Sequence, residues 1–312
     1  MSSPTTKRQK NAASDLTSLT DDLVREYQQN GFLVFRNFFS SDEVEAIKNE
    51  MSRVIDEWYV EFDKTGEEGA DWEEVVNRDP LVRQGKLKPL DRLHSVRRLF
   101  RISVNLHFFK QIASHPKMLA ISKQLLGDDV KLLQSMALLK PPGTAEKKWH
   151  QDNAYFRLIP NHLLAFWIAL DEADVENGCM HIVPKSHNHG VDDHSSPDDD
   201  HVVYSLTNLP EKDKIVSVPL SPGDALLFHG ELQHYTPSNN SIRMRRAIQM
   251  HYASGQCKPT VCPKDGEEKG SEGLQQEGPT HFDCAPCIEP KFWYYRKAEL
   301  LVSGHDYGGE HI

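Results

Sequence analysis

The chain has 312 residues, of which 38% are hydrophobic and 26% charged, and its formal net charge is −10. This composition is typical of a globular protein, and the acidic balance argues against a nucleic-acid-binding protein, which is usually basic. The longest apolar run, LLAFWIAL from Leu163, is too short to cross a bilayer. The first residues lack the apolar core of a signal peptide, and five cysteines, an odd number, favour a reducing compartment over a disulfide framework. We therefore expect a cytoplasmic protein.

The N-terminal part of the chain is predicted to be mainly helical. Residues 1–15 are polar and predict a disordered tail. The segment TDDLVREYQQNG predicts a helix, because Thr20 suits the N-cap and Gly31 suits the position just beyond the last turn. The segment FLVFRNFF that follows is rich in aromatic and apolar residues, so it predicts a strand.

Two further helices are predicted before the pattern changes. Ser40 and Glu43 form a capping box for the helix SDEVEAIKNEMSRVIDEWYVEF, whose apolar residues recur at helical spacing. The segment HFFKQIASHPKMLAISKQLLG predicts another helix, which ends at Gly127. We therefore assign residues 16–127 to a helical N-terminal part.

Beyond these helices the apolar period falls to two residues, which predicts strands. The dipeptide Asn177-Gly178 lies between two of the strand candidates and indicates a tight hairpin. Helices followed by a run of strands indicate an α+β protein, mainly β, with a sandwich or barrel core. We expect one domain over residues 16–312, with the β core at about 128–255 and a cysteine-containing extension at 256–312. The strand candidates are VKLLQSMALLKPPG, KWHQDNAYF, LLAFWIALDEA, GCMHIVPKSH, KIVSVPLSPG, DALLFHG and MRRAIQMHYA.

The segment WHQDNAYF places a histidine and an aspartate two residues apart. Residues at this spacing point the same way on an extended strand, so His150 and Asp152 are predicted to converge as two metal ligands or as a hydrogen-bonded pair. An isolated His-x-Asp is more often an ordinary polar pair on an exposed strand. A metal site therefore requires a third ligand from elsewhere in the chain.

The segment GDALLFHGELQHYTPSNNSIRMRRAIQMHY offers two candidates for that ligand, His229 and His234. Its turn residues predict a hairpin centred between Asn239 and Asn240, which places His234 opposite Arg245 on one face, so His234 is the expected ligand. Two histidines and one carboxylate form the facial triad of non-haem iron(II) oxygenases. An arginine beside them can bind a dicarboxylate co-substrate with two hydrogen bonds. The alternative is a structural His234 and a surface ion pair of Arg245 or Arg246.

Five motifs follow one another along the chain: KPPG, HQD, ENGCMHIVPKSH, FHGELQH and, after the turn, RRAI. In their order and spacing, from about residue 20 to residue 255, they resemble the phytanoyl-CoA dioxygenase family of iron(II)/2-oxoglutarate oxygenases. The resemblance implies a double-stranded β-helix core, that is, a jelly-roll or cupin-like fold, with helices packed outside. It also implies that iron(II) is bound by His150, Asp152 and His234, and that Arg245 binds the distal carboxylate of 2-oxoglutarate.

The same resemblance implies further contacts with the co-substrate and a type of reaction. A basic residue from the segment before the core contributes to the pocket, and Arg98 and Arg101 are both candidates. O2 is the second co-substrate, ascorbate is a candidate reductant, and the acidic ligand Asp152 favours hydroxylation of a C–H bond over halogenation. The other pocket residues that the resemblance implies are Met136, Gln151, Trp167 and Thr236.

The identity of the small-molecule substrate stays open. The stretch 83–101 carries seven Lys or Arg residues against one acidic residue, and the segment EEGADWEEVVNRD before it is acidic. The basic stretch either pairs with the acidic one in the fold or meets an anionic substrate, such as a fatty acyl group that carries the phosphates of coenzyme A. Two other classes of protein would use similar ligands, namely a metal-dependent hydrolase and a catalytically silent jelly-roll metal-binding protein.

The C-terminal extension carries a second group of residues of the types that bind metals. They could form a structural zinc site, although reduced and unbound thiols are the simpler expectation. The residues are Cys257, Cys262, His281, Cys284 and Cys287.

Overall fold

The structure is a computed structural model that describes residues 17–65, 75–195, 205–259 and 300–303. The α-helices are α1 (Asp21–Asn30), α2 (Ser41–Thr65), α3 (Pro80–Arg83), α4 (Ile102–Asn105), α5 (His107–Ala113), α6 (Pro116–Leu126) and α7 (Asn153–Phe156). Short 3-10 helices span Leu93–Ser95, Ser186–His189 and Lys212–Lys214. The strands are β1 (Phe32–Phe35), β2 (Val76–Arg78), β3 (Val96–Phe100), β4 (Val130–Lys140), β5 (Lys147–His150), β6 (Leu158–Ile159), β7 (Leu163–Ala169), β8 (Met180–Ile182), β9 (His194–Ser195), β10 (Ser205–Leu206), β11 (Val216–Val218), β12 (Ala225–His229), β13 (His234–Thr236), β14 (Arg245–Ser254), β15 (Lys258–Pro259) and β16 (Leu300–Ser303). The predicted tail, residues 1–15, lies outside the described residues.

The first two helices begin where their capping residues predict. The Thr20 side chain accepts a hydrogen bond from the backbone N–H of Leu23, and Gly31 beyond α1 has a φ of 81°, which glycine adopts without steric cost. At α2 the backbone N–H of Ser40 donates to the Glu43 carboxylate at 2.7 Å, and the Glu43 N–H donates to the Ser40 hydroxyl at 3.3 Å. This reciprocal pair is the predicted capping box. Both helix starts are therefore confirmed.

The segment 107–127 forms two helices, so the prediction of one continuous helix is wrong. α5 ends at Ala113 and α6 begins at Pro116. Proline disfavours a helical backbone at the residue before it, and His115 is accordingly non-helical, with φ −57° and ψ 128°. The His115 ring accepts a hydrogen bond from the Lys117 backbone at 3.3 Å and so caps α6. No helix in the described ranges combines the length and the apolar character that crossing a membrane requires.

Two antiparallel sheets form the core and confirm the predicted double-stranded β-helix. The larger sheet has the strand order β1-β12-β7-β14-β4-β3-β2, with β16 also paired to β4, and the smaller sheet has the order β11-β8-β13-β5. β1, β2 and β3 come from the part of the chain predicted to be mainly helical. This N-terminal part therefore extends the larger sheet at both of its edges, in addition to supplying helices.

β7 shows how the larger sheet is buried on both faces. All seven of its residues are buried and apolar, which is typical of a strand covered on both sides. Phe166 and Ile168 pack in one apolar cluster with Met51 of α2. Trp167, on the opposite face, packs in another cluster with Ile182 of the smaller sheet. The helices thus cover the outer face of the larger sheet, and the space between the two sheets receives the inner side chains.

The predicted hairpin around Asn239 is wrong. β13 pairs with β5 and β8 in the smaller sheet, whereas β14 pairs with β4 and β7 in the larger one. The connection crosses between the sheets, and the buried amide of Asn239 holds it by donating to the Lys140 carbonyl at 2.7 Å. His234 is therefore paired with His150, and Arg245 with Lys140.

Asn177 and Gly178 do not close a hairpin either, because they lie between β7 of the larger sheet and β8 of the smaller one. Gly178 has a φ of 95°, and a Cβ at this position would come within 2.7 Å of the Pro237 carbonyl oxygen. Glycine is required here because two connections that cross between the sheets pack against each other. In this fold, a turn signal can mark a crossing between sheets as well as a hairpin.

Candidate active site

A cavity of about 780 Å³ opens between the two sheets. Residues of β3, β4, β5, β13 and β14 contribute to its walls. The four residues that the sequence singles out most strongly, His150, Asp152, His234 and Arg245, all line it. A concave site with a few converging polar groups is the usual setting of a small-molecule site, so this cavity is the candidate active site.

His150 and His234 meet because the strands that carry them are neighbours. β5 ends at His150, β13 begins at His234, and the register pairs these two residues, with ring centroids 4.1 Å apart. Asp152 does not lie on the strand, contrary to prediction, because its backbone is helical (φ −64°, ψ −37°) and leads into α7. Its Oδ1 nevertheless lies 3.6 Å from Nε2 of His150 and 3.5 Å from Nε2 of His234. One ligand atom from each residue lies within 4.8 Å of the other two.

Backbone carbonyls orient the two imidazoles. Nδ1 of His150 lies 2.7 Å from the Lys148 carbonyl oxygen, and Nδ1 of His234 lies 2.9 Å from that of Leu232. Because a carbonyl oxygen only accepts hydrogen bonds, each neutral ring carries its hydrogen on Nδ1 and presents the lone pair of Nε2 to the cavity. This is the tautomer that a metal ligand requires.

The charges of these groups also fit a divalent cation. Burial lowers the pKa of His150 well below its usual value, which keeps the imidazole neutral. Burial alone would raise the pKa of Asp152, but the imidazoles of His234 and His251 beside its two oxygens outweigh burial and hold this pKa well below its usual range. A carboxylate oxygen and two imidazole nitrogens therefore face one another as lone-pair donors, and this donor set suits iron(II).

Arg245 is buried beside this cluster. Its side chain is 3% exposed, and its guanidinium carbon lies over the Trp167 ring at 5.3 Å from the centroid. Burial lowers the pKa of Arg245 to about 10, and its Nε and Nη1 have no hydrogen-bond partner among the described residues. Buried donors on a cation are costly unless an anion binds them. The forked guanidinium therefore fits one carboxylate of a dicarboxylic co-substrate such as 2-oxoglutarate.

Gln151 faces away from the cavity, although it was predicted to line the co-substrate pocket. Its side-chain amide donates to the carbonyl oxygens of Gly190 and Glu231 and accepts from the backbone N–H of Asp192, each at 2.7 Å. It directly follows His150, the last residue of β5. Its place in the structure is to hold the loop around residue 190 against the turn that precedes β13.

The other predicted pocket residues line the cavity, and only one of the two basic candidates is among them. Arg98 on β3 lines the cavity, with its Nε donating to Oδ1 of Asn77 at 2.5 Å and its guanidinium over the Phe100 ring. Arg101 has a left-handed backbone, with a φ of 51°, at the start of α4 and is not among the lining residues. The predicted residues that line the cavity are Arg98, Met136, Trp167 and Thr236.

Two polar lining residues, Gln249 and His251, were not predicted. Both lie on β14 at alternate positions counted from Arg245, so the three side chains share one face of the strand. Nε2 of His251 lies 2.9 Å from Oδ2 of Asp152. The segment RRAIQMHY already contained this signal, since steps of two residues from Arg245 reach both positions.

The predicted zinc site lies almost wholly outside the described residues. Cys257 is within them, and its buried Sγ donates to the Pro160 carbonyl at 3.1 Å. The zinc site stays a prediction, because its other members are outside the described ranges, namely Cys262, His281, Cys284 and Cys287.

Comparison with known proteins identifies the family of this chain. The sequence profile described as Phytanoyl-CoA dioxygenase (PhyH) matches residues 27–247. The chain belongs to the phytanoyl-CoA dioxygenase family. Two members show how similar the sequences are. The peroxisomal phytanoyl-CoA dioxygenase of Mus musculus is 26% identical over 253 residues, covering 78% of this chain and 71% of that protein. The phytanoyl-CoA dioxygenase domain-containing protein 1 of Danio rerio is 28% identical over 263 residues, covering 75% of this chain and 89% of that protein.

Solved structures share the fold of this member of the phytanoyl-CoA dioxygenase family. The non-haem monooxygenase ThoJ is 20% identical, with a TM-score of 0.61, and the match covers 92% of this chain and 86% of ThoJ. EctD from S. alaskensis, solved with 2-oxoglutarate and 5-hydroxyectoine, is 18% identical with a TM-score of 0.56, covering 77% of this chain and 78% of EctD. At these identities the likeness shows the double-stranded β-helix fold alone.

We expect the third ligand of this phytanoyl-CoA dioxygenase family member to be His234 rather than His229. His229 lies on β12 outside the cavity lining, with its ring 5.1 Å from that of His187 and its Nδ1 accepting from the Glu231 backbone at 3.1 Å. His229→Ala should therefore bind iron(II) nearly as tightly as wild type, and His234→Ala should bind it poorly, because only the second loses a donor atom. Anaerobic titration with iron(II) measures both affinities, and the reverse order would contradict the placement of the site.

Proposed function

We propose that the protein is a non-haem iron(II)- and 2-oxoglutarate-dependent dioxygenase that hydroxylates an unactivated C–H bond of an anionic small molecule, such as an acyl-CoA thioester. One observation carries the proposal. The His150, Asp152 and His234 cluster shares a cavity with a buried Arg245 whose Nε and Nη1 have no partner among the residues described. Membership of the phytanoyl-CoA dioxygenase family and the 2-oxoglutarate bound in EctD support the same cofactor and co-substrate.

The side chains have separable tasks in this proposal. His150, Asp152 and His234 would hold the iron, and Arg245 would bind the distal carboxylate of 2-oxoglutarate. Iron(II), 2-oxoglutarate and O2 together supply the oxidising chemistry, in which succinate and CO2 are released and one oxygen atom enters the substrate. Trp167 lies against the guanidinium and limits the access of water to it, and a lower local dielectric strengthens the ion pair with the co-substrate.

Positive charge around the cavity supports an anionic substrate. Part of the basic stretch pairs within the fold. Arg97 lies 3.9 Å from Asp79 of the acidic segment, as the alternative interpretation requires, and Arg92 contacts Asp63 of α2 at 2.5 Å. More basic than acidic side chains line the cavity. The pKa of Lys147 is lowered to about 8 by burial and by the neighbouring charges of Arg98 and Arg97. Cations that repel one another in a cleft favour an anionic ligand. Lys140 also lines the cavity, but burial and the charge of Arg245 lower its pKa to about 6, so it is not counted among the cations. The lining cations are Arg78, Arg83, Arg97, Arg98, Lys147, Lys148 and Arg245, against the lining acids Glu146 and Asp152.

The two other classes of function explain less of the site. A metal-dependent hydrolase would use the same three ligands to activate water, but it gives the buried guanidinium of Arg245 no task. A catalytically silent binding protein requires neither a ligand set suited to a redox-active metal nor a carboxylate clamp beside it. The oxygenase accounts for both features at once.

The proposal is tested by measuring succinate formed from 2-oxoglutarate in air with three substrates of one chain length: an acyl-CoA thioester, the free fatty acid and its neutral methyl ester. We expect the anionic compounds to stimulate succinate formation and to gain one oxygen atom by mass, and the neutral ester to have little effect. Equal stimulation by the ester would contradict the anionic substrate. Hydrolysis of the thioester with zinc and without 2-oxoglutarate would favour the hydrolase instead.

A further inference from the structure

His251 is a buried side chain in contact with Asp152, one of the candidate metal ligands, and it has no task in the proposed function. It lies on β14 and is 1% exposed, and its ring packs against that of Phe156 with centroids 5.2 Å apart. Its Nε2 lies 2.9 Å from Oδ2 of Asp152. This contact joins the larger sheet, which carries Arg245, to the turn that carries Asp152.

The two oxygens of the Asp152 carboxylate have different surroundings. Oδ1 faces the Nε2 atoms of His150 and His234, at 3.6 and 3.5 Å. Oδ2 accepts the hydrogen bond from His251, because an ionised carboxylate can only accept. One oxygen is therefore directed at the place where the imidazole lone pairs converge, and the other is already bound to the protein.

The hydrogen-bonding pattern of His251 indicates its tautomer. Nδ1 is buried and has no hydrogen-bond partner among the residues that the structure describes. A neutral ring with its hydrogen on Nε2 leaves only a weak acceptor unpaired at Nδ1, whereas a hydrogen on Nδ1 would leave a donor unpaired in the core. The amide nitrogen of Gln249 lies 2.9 Å from the same Nε2, which would set two donors against each other. This tautomer of His251 therefore requires the Gln249 amide to be flipped, so that its oxygen faces the ring.

We propose that His251 is a positioning residue for the metal: its Nε2–H holds Oδ2 of Asp152, so that the carboxylate offers a single oxygen, Oδ1, to the cation. The inference rests on the proposed function and deepens it. A carboxylate that turns freely could offer both oxygens and occupy a position that the co-substrates need. With His251 in place, His150, Asp152 and His234 supply one ligand atom each.

The position of Asp152 in the chain explains why a hydrogen bond from His251 is needed. Asp152 comes after the end of β5 and before the single turn of α7, so its side chain is not placed by strand pairing as that of His234 is on β13. A hydrogen bond from a rigid central strand of the larger sheet supplies that constraint. Groups that hydrogen-bond metal ligands in this way commonly tune metal affinity by roughly 10- to 100-fold.

The test compares three substitutions at this position with a control elsewhere. His251→Phe keeps the ring volume against Phe156 but removes the donor, His251→Gln keeps an N–H near the place of Nε2, and His251→Asn keeps polarity with a donor too short to reach. The matched control is His229→Phe, since His229 is a partly buried histidine outside the cavity lining. For each metal-free protein, the affinity for Mn(II), a redox-inert probe of the iron site, and the melting temperature are measured.

We expect His251→Phe and His251→Asn to bind Mn(II) about 10- to 100-fold more weakly than wild type, His251→Gln to recover most of the loss, and His229→Phe to match wild type. If His251→Phe does not fold, the Gln and Asn pair still decides the question. If all the folded His251 variants bind Mn(II) within twofold of wild type, the positioning role of His251 is overturned. The proposed function would not be affected by that result. Lower melting temperatures with unchanged metal affinity would likewise show a merely structural role. A wild-type protein that binds neither Mn(II) nor iron(II) would overturn the proposed function, and this inference with it.

Discussion

Asp152→Ala is expected to abolish succinate formation from 2-oxoglutarate in air. The substitution removes the anionic member of the ligand set, whose Oδ1 lies 3.6 and 3.5 Å from the two imidazole nitrogens. Two neutral nitrogens would remain, and they cannot neutralise a dication in a site as buried as this one. The loss should exceed the roughly 10- to 100-fold that follows from removing a group that only hydrogen-bonds a ligand.

Succinate formation and anaerobic iron(II) affinity are the two measurements for this variant. Asp213→Ala is the control, because Asp213 is an exposed aspartate in the 3-10 helix Lys212–Lys214, away from the cavity lining. The control should behave as wild type in both assays. Turnover by Asp152→Ala at the wild-type rate would remove Asp152 from the metal site.

Arg245→Ala is expected to raise the 2-oxoglutarate concentration needed for half-maximal succinate formation by roughly ten- to a hundredfold. A charge-assisted hydrogen bond in a largely dry pocket contributes on the order of 1.5–3 kcal/mol, and about 1.4 kcal/mol corresponds to a factor of ten. Arg245→Lys keeps the charge but loses the fork, so it should fall between wild type and alanine. Iron(II) affinity without the co-substrate should barely change, since Arg245 offers no ligand atom.

Arg246→Ala is the matched control for Arg245 because the next residue of the strand points to the opposite face. In the structure Arg246 binds both carboxylate oxygens of Asp171, with Nε and Nη2 each at 2.8 Å. Its replacement should lower the melting temperature, since this ion pair is largely buried, and leave the 2-oxoglutarate dependence unchanged. An increased 2-oxoglutarate requirement in Arg246→Ala, with Arg245→Ala unaffected, would mean that the wrong arginine has been assigned to the co-substrate.

The candidate site could be predicted from sequence as a set of residues but not as a geometry. The expected extended strand through Asp152 ends at His150, and the expected pairing of His234 with Arg245 does not occur. These residues still meet, because the two sheets face each other across the cavity. Spacing rules describe one strand or one hairpin, whereas this cavity is built by connections that cross between sheets.

The residues that were misplaced or overlooked follow from the same limitation. Strand alternation from His150 already places Gln151 on the other face, yet the family resemblance suggested that it lines the pocket. Alternation from Arg245 leads to Gln249 and His251, but their importance appears only once β14 is seen to lie opposite Asp152. Local patterns such as the Ser40 capping box were predicted well, because a capping box depends on residues three apart.

The most direct test of the account is anaerobic addition of iron(II) and 2-oxoglutarate to the purified protein, followed by visible absorption. A weak charge-transfer band of the iron–2-oxoglutarate chelate should appear only when both are present and should saturate at one equivalent of iron. It should be absent in Asp152→Ala, and in Arg245→Ala it should require a higher 2-oxoglutarate concentration. A wild-type protein that shows no such band at saturating iron(II) and 2-oxoglutarate would contradict the central claim that this cavity holds both.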